Sequence, residues 1–131
     1  MTTTSPGPMS DYDVFNKECP SRLMLTRLAD KWSLLVIRRL RSEAVRFNQL
    51  RRDLEGVSAK MLTQTLRNLE RDGLIEREIF PTVPVTVEYS LTPFGHSLAE
   101  CIDVFVNWTE TNANALLQAQ QRFDDSSAND E

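Results

Sequence analysis

The sequence predicts a mainly α fold with one small β-hairpin, and three observations predict it. Residues 58–73, Ser58-Ala-Lys-Met-Leu-Thr-Gln-Thr-Leu-Arg-Asn-Leu-Glu-Arg-Asp-Gly73, repeat their leucines at helical spacing between a start and a stop signal. After Gly73 the apolar period changes from about 3.6 residues to about 2, and Val85-Thr-Val-Glu-Tyr-Ser-Leu91 alternates cleanly. From Thr92 the helical period returns, and one apolar stripe continues as far as Leu117. A length of 131 residues suits a single domain with a real hydrophobic core.

Residues 1–14 are rich in Thr, Ser and Pro and are expected to be disordered. The folded domain is expected over 15–123, and the acidic run 124–131 as a second disordered tail. A first helix begins near Cys19-Pro20, because proline at the first helical position has the right φ and forfeits no hydrogen bond there. Leu23, Leu25 and Leu28 are expected to pack it into the core, and it ends near Asp30-Lys31. The second helix opens at Trp32-Ser33 with Ser33 as its N-cap. Leu34, Leu35, Ile37 and Leu40 point inward; Arg38, Arg39 and Arg41 point out. Ala44–Phe47 is short and β-like.

The third helix starts at Asn48, buries Leu50 and Leu54, shows Arg51 and Arg52 to solvent, and ends at Gly56. Only Gly56-Val57 separates it from Ser58, whose hydroxyl suits an N-cap. In the helix that follows, Leu62, Leu66 and Leu69 share a buried face, and Gly73 suits the left-handed residue past its end. Lys60, Gln64, Arg67 and Arg71 fall on the opposite face, with Thr63 and Asn68 beside them. Helix, tight turn and a second helix with a polar, basic outer face make a helix-turn-helix. Cations on such a face meet phosphates, while Gln and Arg pair bidentately with adenine and guanine edges in a major groove. The plain alternative is a solvated polar surface.

Leu74–Phe80 and Val85–Leu91 then form a hairpin around the Pro81-Thr-Val-Pro84 turn. A hairpin directly after a recognition helix is a wing, so the expected fold is a winged helix-turn-helix. Thr92-Pro93 starts the last helix with a capping Thr and a first-turn Pro. It is expected to reach Arg122, about 30 residues and about 45 Å, longer than a small domain can cover. Its stripe of Leu98, Cys101, Ile102, Phe105, Trp108, Ala113, Leu116 and Leu117 wants a second helix, most simply from another copy of the chain.

The net charge of −4 hides an uneven distribution. From Arg22 to Arg77 there are 13 Lys/Arg against 7 Asp/Glu, a net +6, while the rest of the chain carries −10. A basic middle between acidic ends points to a local anionic partner. No apolar run approaches membrane-spanning length, and the N-terminus has neither a basic nor an apolar leader region, so a cytoplasmic protein with no membrane partner is expected. Two cysteines, Cys19 and Cys101, make no disulfide framework, and with the single His96 they make no zinc pattern. No cofactor motif and no catalytic set is visible, so an enzyme is not expected.

Six pieces in order and at matching spacing carry a family resemblance: Cys19-Pro20; Asp30-Lys31-Trp32; Arg46-Phe47-Asn48-Gln49-Leu50; Ser58-Ala-Lys-Met-Leu62; Leu66-Arg-Asn-Leu-Glu-Arg-Asp-Gly-Leu74; and Val87-Glu-Tyr-Ser-Leu-Thr-Pro-Phe-Gly95. Over about residues 17–110 the chain resembles the HxlR-type transcription regulators, a winged-helix branch near the MarR group. The resemblance implies a homodimeric bacterial repressor or activator that binds double-stranded DNA at a pseudo-palindromic operator. It also implies a dimer built from the first and last helices, and, in several relatives, sensing of a quinone, an aldehyde or an oxidant by an N-terminal cysteine. Cys19 matches that position. One departure is the wing tip, Val83-Pro84-Val85-Thr86, which has no cation where many relatives have one.

The candidate DNA-binding residues are therefore Arg46, Arg51, Arg52, Ser58, Lys60, Thr63, Gln64, Arg67 and Arg71. Gln64 and Arg67 are the candidates for base edges, and Arg51, Arg52 and Lys60 for phosphates. Cys19 is the candidate redox sensor: a helix N-terminus favours its thiolate, Lys17 and Arg22 assist, and Glu18 opposes. Cys101 reads as a core or interface thiol, His96 as a surface residue, and Trp32 and Trp108 as core or interface aromatics or the walls of a ligand pocket. The Arg38–Arg41 cluster is either a phosphate contact or a solvated face. Three other functional classes are a regulator controlled by a non-covalent ligand, a winged-helix module binding only protein, and a small thiol enzyme.

Overall fold

A computed structural model describes residues 12–130. Its elements are α1 (Pro20–Leu28), α2 (Lys31–Leu40), β1 (Val45–Arg46), α3 (Phe47–Asp53), α4 (Ala59–Arg71), β2 (Ile75–Phe80), β3 (Thr86–Leu91) and α5 (Pro93–Asp130). The three strands form one antiparallel sheet in the order β1-β3-β2, with Val45 opposite Tyr89 and Ile75 opposite Leu91. The hairpin β2–β3 follows α4 directly, which is the winged helix-turn-helix arrangement.

The core collects around α2. Val36, Ile37 and Leu40 are buried there against Leu50, Leu62, Leu66, Leu69, Ile75 and the α5 residues Ala99 and Ile102. The leucine face of α4 is buried as its spacing requires, and Thr65 joins it. Ser58 Oγ accepts from Met61 N–H at 3.0 Å, which caps the helix. At the other end Leu74 N–H reaches Leu69 O and Gly73 N–H reaches Glu70 O, with Gly73 at φ +78°. This is a Schellman ending, and only a residue without Cβ adopts that φ freely.

Thr92 ties the start of α5 to this ending. Its hydroxyl donates to Gly73 O at 2.6 Å and accepts from Gly95 N–H at 3.0 Å, while its backbone N–H donates to Leu74 O at 3.1 Å. The first turn of α5 packs so closely on the α4–β2 turn that a Cβ on Gly95 would overlap the Leu74 carbonyl.

Several local expectations differ from the structure. The N-cap of α2 is Asp30, whose carboxylate accepts from Ser33 N–H at 3.1 Å; Ser33 is buried in the first turn. Leu35 is exposed and Leu34 only half-buried, while Val36 takes the core position. Helix α3 begins one residue earlier than Asn48 and ends at Asp53, before Gly56. Helix α1 buries no residue: Leu23 and Leu25 lie on the surface and Leu28 is half-buried. Within one chain, α1 therefore has an apolar face with nothing on it.

The tail also differs. Helix α5 continues past Arg122 through the acidic residues to Asp130, because no Pro or Gly follows Gly95 to stop it. Gln121 Nε2 donates to Asp125 Oδ1 at 3.0 Å across one turn of this extension. Of the N-terminal stretch expected to be disordered, 1–11 lie outside the described residues; from Tyr12 the chain enters turns closed by Asn16 N–H to Asp13 O and Cys19 N–H to Asn16 O.

Replacing Gly95 by Ala should force α5 away from the Leu74 carbonyl and destabilise the fold by about 1–3 kcal/mol, the usual cost of overpacking. Urea unfolding reads this directly. An unchanged midpoint would mean that the joint at Thr92 yields without cost.

Candidate nucleic-acid interface

On α4, at about 100° per residue, Lys60, Gln64, Arg67 and Arg71 fall within an arc of about 60°, with Thr63 at its edge. All five are exposed. Among the described residues Arg51, Lys60, Arg67 and Arg71 form no ion pair, whereas seven other cation–carboxylate contacts bind the arginines around them. Unpaired guanidinium and ammonium groups on one helix face give a local positive surface on a chain of negative net charge. Gln64 Nε2 donates to Asn68 Oδ1 at 3.2 Å, which leaves Oε1 and the second amide hydrogen pointing outward.

The remaining candidates are less free. Arg46 is exposed, but its Nε lies 3.8 Å from Glu88 on the neighbouring strand. Arg52 Nη2 donates to Gln49 Oε1 at 2.7 Å. Ser58 Oγ accepts one hydrogen bond in the α4 cap, which fixes its orientation. In the Arg38–Arg41 cluster Arg38 and Arg41 stay exposed, but their charges are engaged within the chain. Arg38 and Arg41 both bind Asp103 of α5, and Arg39 binds Asp53 of α3 at 2.7 Å and Glu43 at 3.6 Å.

The wing offers little positive charge. Arg77 is taken by Glu70 at 3.3 Å, Glu78 stands opposite Glu88, and the exposed tip carries Ile79, Val83 and Val85. The departure read from the sequence at this tip is thus accompanied by an apolar surface.

Cys19 is the N-cap residue of α1 and is half-buried. Its Sγ accepts from Asp13 N–H at 3.2 Å and lies 3.1 Å from Ser21 Oγ. The Ser21 hydroxyl is the main reason that its pKa falls below the ordinary thiol value; partial desolvation opposes this, and the backbone N–H groups of Asp13, Ser21 and Arg22 assist. The causes are hydrogen bonds and not side-chain charge; the Arg22 guanidinium donates to Val14 O at 3.0 Å. Ser21 and Asp13 are neighbours of this sulfur that the sequence reading misses, although a hydroxyl two residues after a Cys at the N-cap position is a local signal for such a contact.

Cys101 is exposed, and both cysteines are free. Trp32 is half-buried with the Lys31 ammonium 4.6 Å from its ring centre, while Trp108 is exposed on α5. His96 is exposed. Among the described residues no group of three His, Cys, Asp or Glu is placed to hold a metal ion, and no helix is long and apolar enough to cross a membrane.

Residues 27–123 match the HxlR-like helix-turn-helix family. The chain is 40% identical over 109 residues to the HTH-type transcriptional regulator YtfH of Escherichia coli, covering 83% of this chain and 86% of that one. It is similar in structure to the transcriptional regulator ytfH from Salmonella typhimurium, with TM-score 0.80, 39% identity, and 84% and 98% of the two chains covered. The redox regulator HypR in its oxidized form is also similar, with TM-score 0.67, 37% identity, and 72% and 97% covered.

The thiolate is the reactive form of cysteine, and a lowered pKa keeps it populated to lower pH. In a Cys101→Ser background, the rate of Cys19 alkylation by iodoacetamide should therefore reach its half-maximum at a lower pH than free cysteine. Ser21→Ala should move that midpoint upward. Coincident profiles for the two proteins would show that the Ser21 contact does not tune the thiol.

Proposed function

The chain belongs to the HxlR-like helix-turn-helix family, and from that premise we propose a homodimeric regulator that binds a pseudo-palindromic operator and is switched at Cys19. That it is a transcriptional regulator of the helix-turn-helix type, and not an enzyme, follows from the family and its relatives. Its place of action is then the cytoplasm, with the DNA. The observation that carries the DNA reading is the set of unpaired cations on the outer face of α4. A winged-helix module that binds only protein leaves that face without a purpose.

The dimer rests on two apolar faces. Leu23, Met24 and Leu25 of α1, and Val104, Phe105, Trp108, Leu116, Leu117 and Phe123 of α5, are all exposed in the single chain. Apolar surface on that scale marks an interaction site, and a long lone helix is marginal in water. A second copy supplies a matching surface through a two-fold axis, which sets two recognition helices one DNA turn apart, about 34–36 Å, or a multiple of it.

Cys19 supports the switch by its place. It occupies the N-cap position of α1, whose apolar face meets the partner in this dimer, and its sulfur contacts Asp13 N–H and the Ser21 hydroxyl. Addition to a quinone or aldehyde, or oxidation to a sulfenic acid, breaks those hydrogen bonds at the helix end. Couplings of about 1–3 kcal/mol between such sites change affinity about 5- to 150-fold. That the similar HypR is named a redox regulator supports the same reading.

A second reading, control by a non-covalent ligand, is favoured by one observation. A cavity of about 180 Å³ lies where α1, the α4–β2 turn and α5 meet, lined by Leu23, Met24, Arg27, Leu28, Leu74 and Phe94, with Asp72. Arg27 Nη1 is buried beside it without a hydrogen bond, although Asp72 Oδ2 is 3.3 Å away.

Binding to duplexes selected by the wild-type protein from a random pool tests the interface. Sedimentation of the complex should find two protomers per duplex. Gln64→Ala and Arg67→Ala should each cost about 1–3 kcal/mol and relax sequence preference. One protomer per duplex, or unchanged affinity and preference in Arg67→Ala, would overturn the arrangement. On the same duplex diamide or a quinone should alter binding by the wild type and not by Cys19→Ser. An equal response from both proteins would remove Cys19 as the sensor and turn attention to Cys101, and no response from either would favour a non-covalent ligand in the cavity beside Arg27.

A further inference from the structure

Three hydrogen bonds join α2 to the outer surface of α3 in an unbroken line. Arg39 Nε donates to Asp53 Oδ2 at 2.7 Å, Gln49 Nε2 donates to Asp53 Oδ1 at 2.8 Å, and Arg52 Nη2 donates to Gln49 Oε1 at 2.7 Å. Each bond uses a different atom, so all three exist together. Gln49 can serve both neighbours because residues three and four apart share a helix face. The inner end is anchored: Arg39 stands on α2 beside the buried Ile37 and Leu40, and a second carboxylate, Glu43, steadies its guanidinium.

The line has a direction. A carboxylate only accepts, so Asp53 must face the NH₂ of Gln49 and not its oxygen. The Gln49 oxygen is then turned outward, where it can take a hydrogen from Arg52. With Asp53 neutral or replaced by an amide, that orientation is no longer imposed. Arg39, and after it Gln49, hold the Asp53 carboxyl below the usual carboxylate range, which keeps it an acceptor at neutral pH. The adjacent Arg51 has no such tether among the described residues.

We propose that Asp53 and Gln49 are positioning residues for DNA backbone recognition, holding the Arg52 guanidinium so that its remaining N–H groups meet a phosphate. This rests on the reading of Arg52 as a phosphate partner. A free arginine side chain loses much rotamer freedom when it grips a phosphate; one already held in place loses less. The relay is therefore worth affinity although only Arg52 of its four members meets the DNA.

Simple charge counting gives the opposite sign. Asp53 is an anion near the proposed DNA surface, and removing it should strengthen binding to a polyanion if it has no positioning role. The test uses the full-length protein and fluorescein-labelled mixed-sequence duplex DNA, since a phosphate contact is read on any sequence. Affinity is measured by anisotropy over a range of salt, and thermal unfolding confirms that each variant is folded. Arg52→Ala should weaken binding about tenfold and flatten the salt dependence by about one unit of slope. Gln49→Ala, which changes no charge, should weaken it at least about threefold, and Asp53→Asn should also weaken it despite the lost negative charge. In the Arg52→Ala background, Gln49→Ala should have no further effect. If Arg52→Ala weakens binding while Gln49→Ala is neutral and Asp53→Asn tightens it, the relay is overturned and Arg52 acts alone. If Arg52→Ala changes nothing, the phosphate reading of Arg52 falls, and the relay with it.

Discussion

The carbonyls of Gly73 and Leu74 are the hinge point of the architecture. They end the recognition helix, begin the wing, and receive both the hydroxyl and the backbone N–H of Thr92, from which the longest helix departs. Helix α4, the sheet and helix α5 are thus aligned by one threonine and two glycines. Gly73 supplies the left-handed turn and Gly95 the space for contact. These few residues, with the core that α4 and α5 share around α2, fix the angle between the two helices.

Arginine chemistry divides the surface in a second way. Three arginines at the end of α2 are structural: Arg38 and the C-cap Arg41 close on Asp103 of α5 and Arg39 on Asp53 of α3, so α2 is braced on both sides by charge as well as by its buried aliphatic face. Exposed pairs of this kind add little stability singly. Their value lies in geometry, since they fix which side chains are left over. The unpaired cations are concentrated on α4, with Arg51 beside them on α3. A chain of negative net charge thereby presents one positive helix, which favours local engagement of an anion over general adhesion.

Legibility in the sequence followed the range of the forces. Helix α4, its cap, its buried leucines and its glycine ending were all readable, because each signal lies within a few residues of its effect. The same holds for Thr92 and for the switch to period 2 in the wing. The cap of α2 was misread by one partner: Asp30 and Ser33 stand three apart, and the hydrogen bond between them looks the same from either end until the donor is known. The apolar side of α1 was visible, but periodicity says only that such a face is covered, not by which chain. The fates of Arg38, Arg41 and Arg46 were not readable, because their carboxylates arrive from remote strands and helices. For Cys19 the relevant electrostatics came from oriented N–H and O–H dipoles, not from the formal charges that a sequence displays.

Helix α5 carries 38 residues, about 57 Å of rod, and beyond Val106 its apolar side chains have no covering surface in their own chain. In the proposed dimer the far half of that rod and the subunit contact form in a single step. Mass action then governs how complete each molecule is: a scarce chain spends more of its time as a truncated fold with a melted, protease-sensitive arm. Cellular abundance would become an input to the regulator in its own right. Each newly made copy would then be protected, in a graded way, by the copies already present.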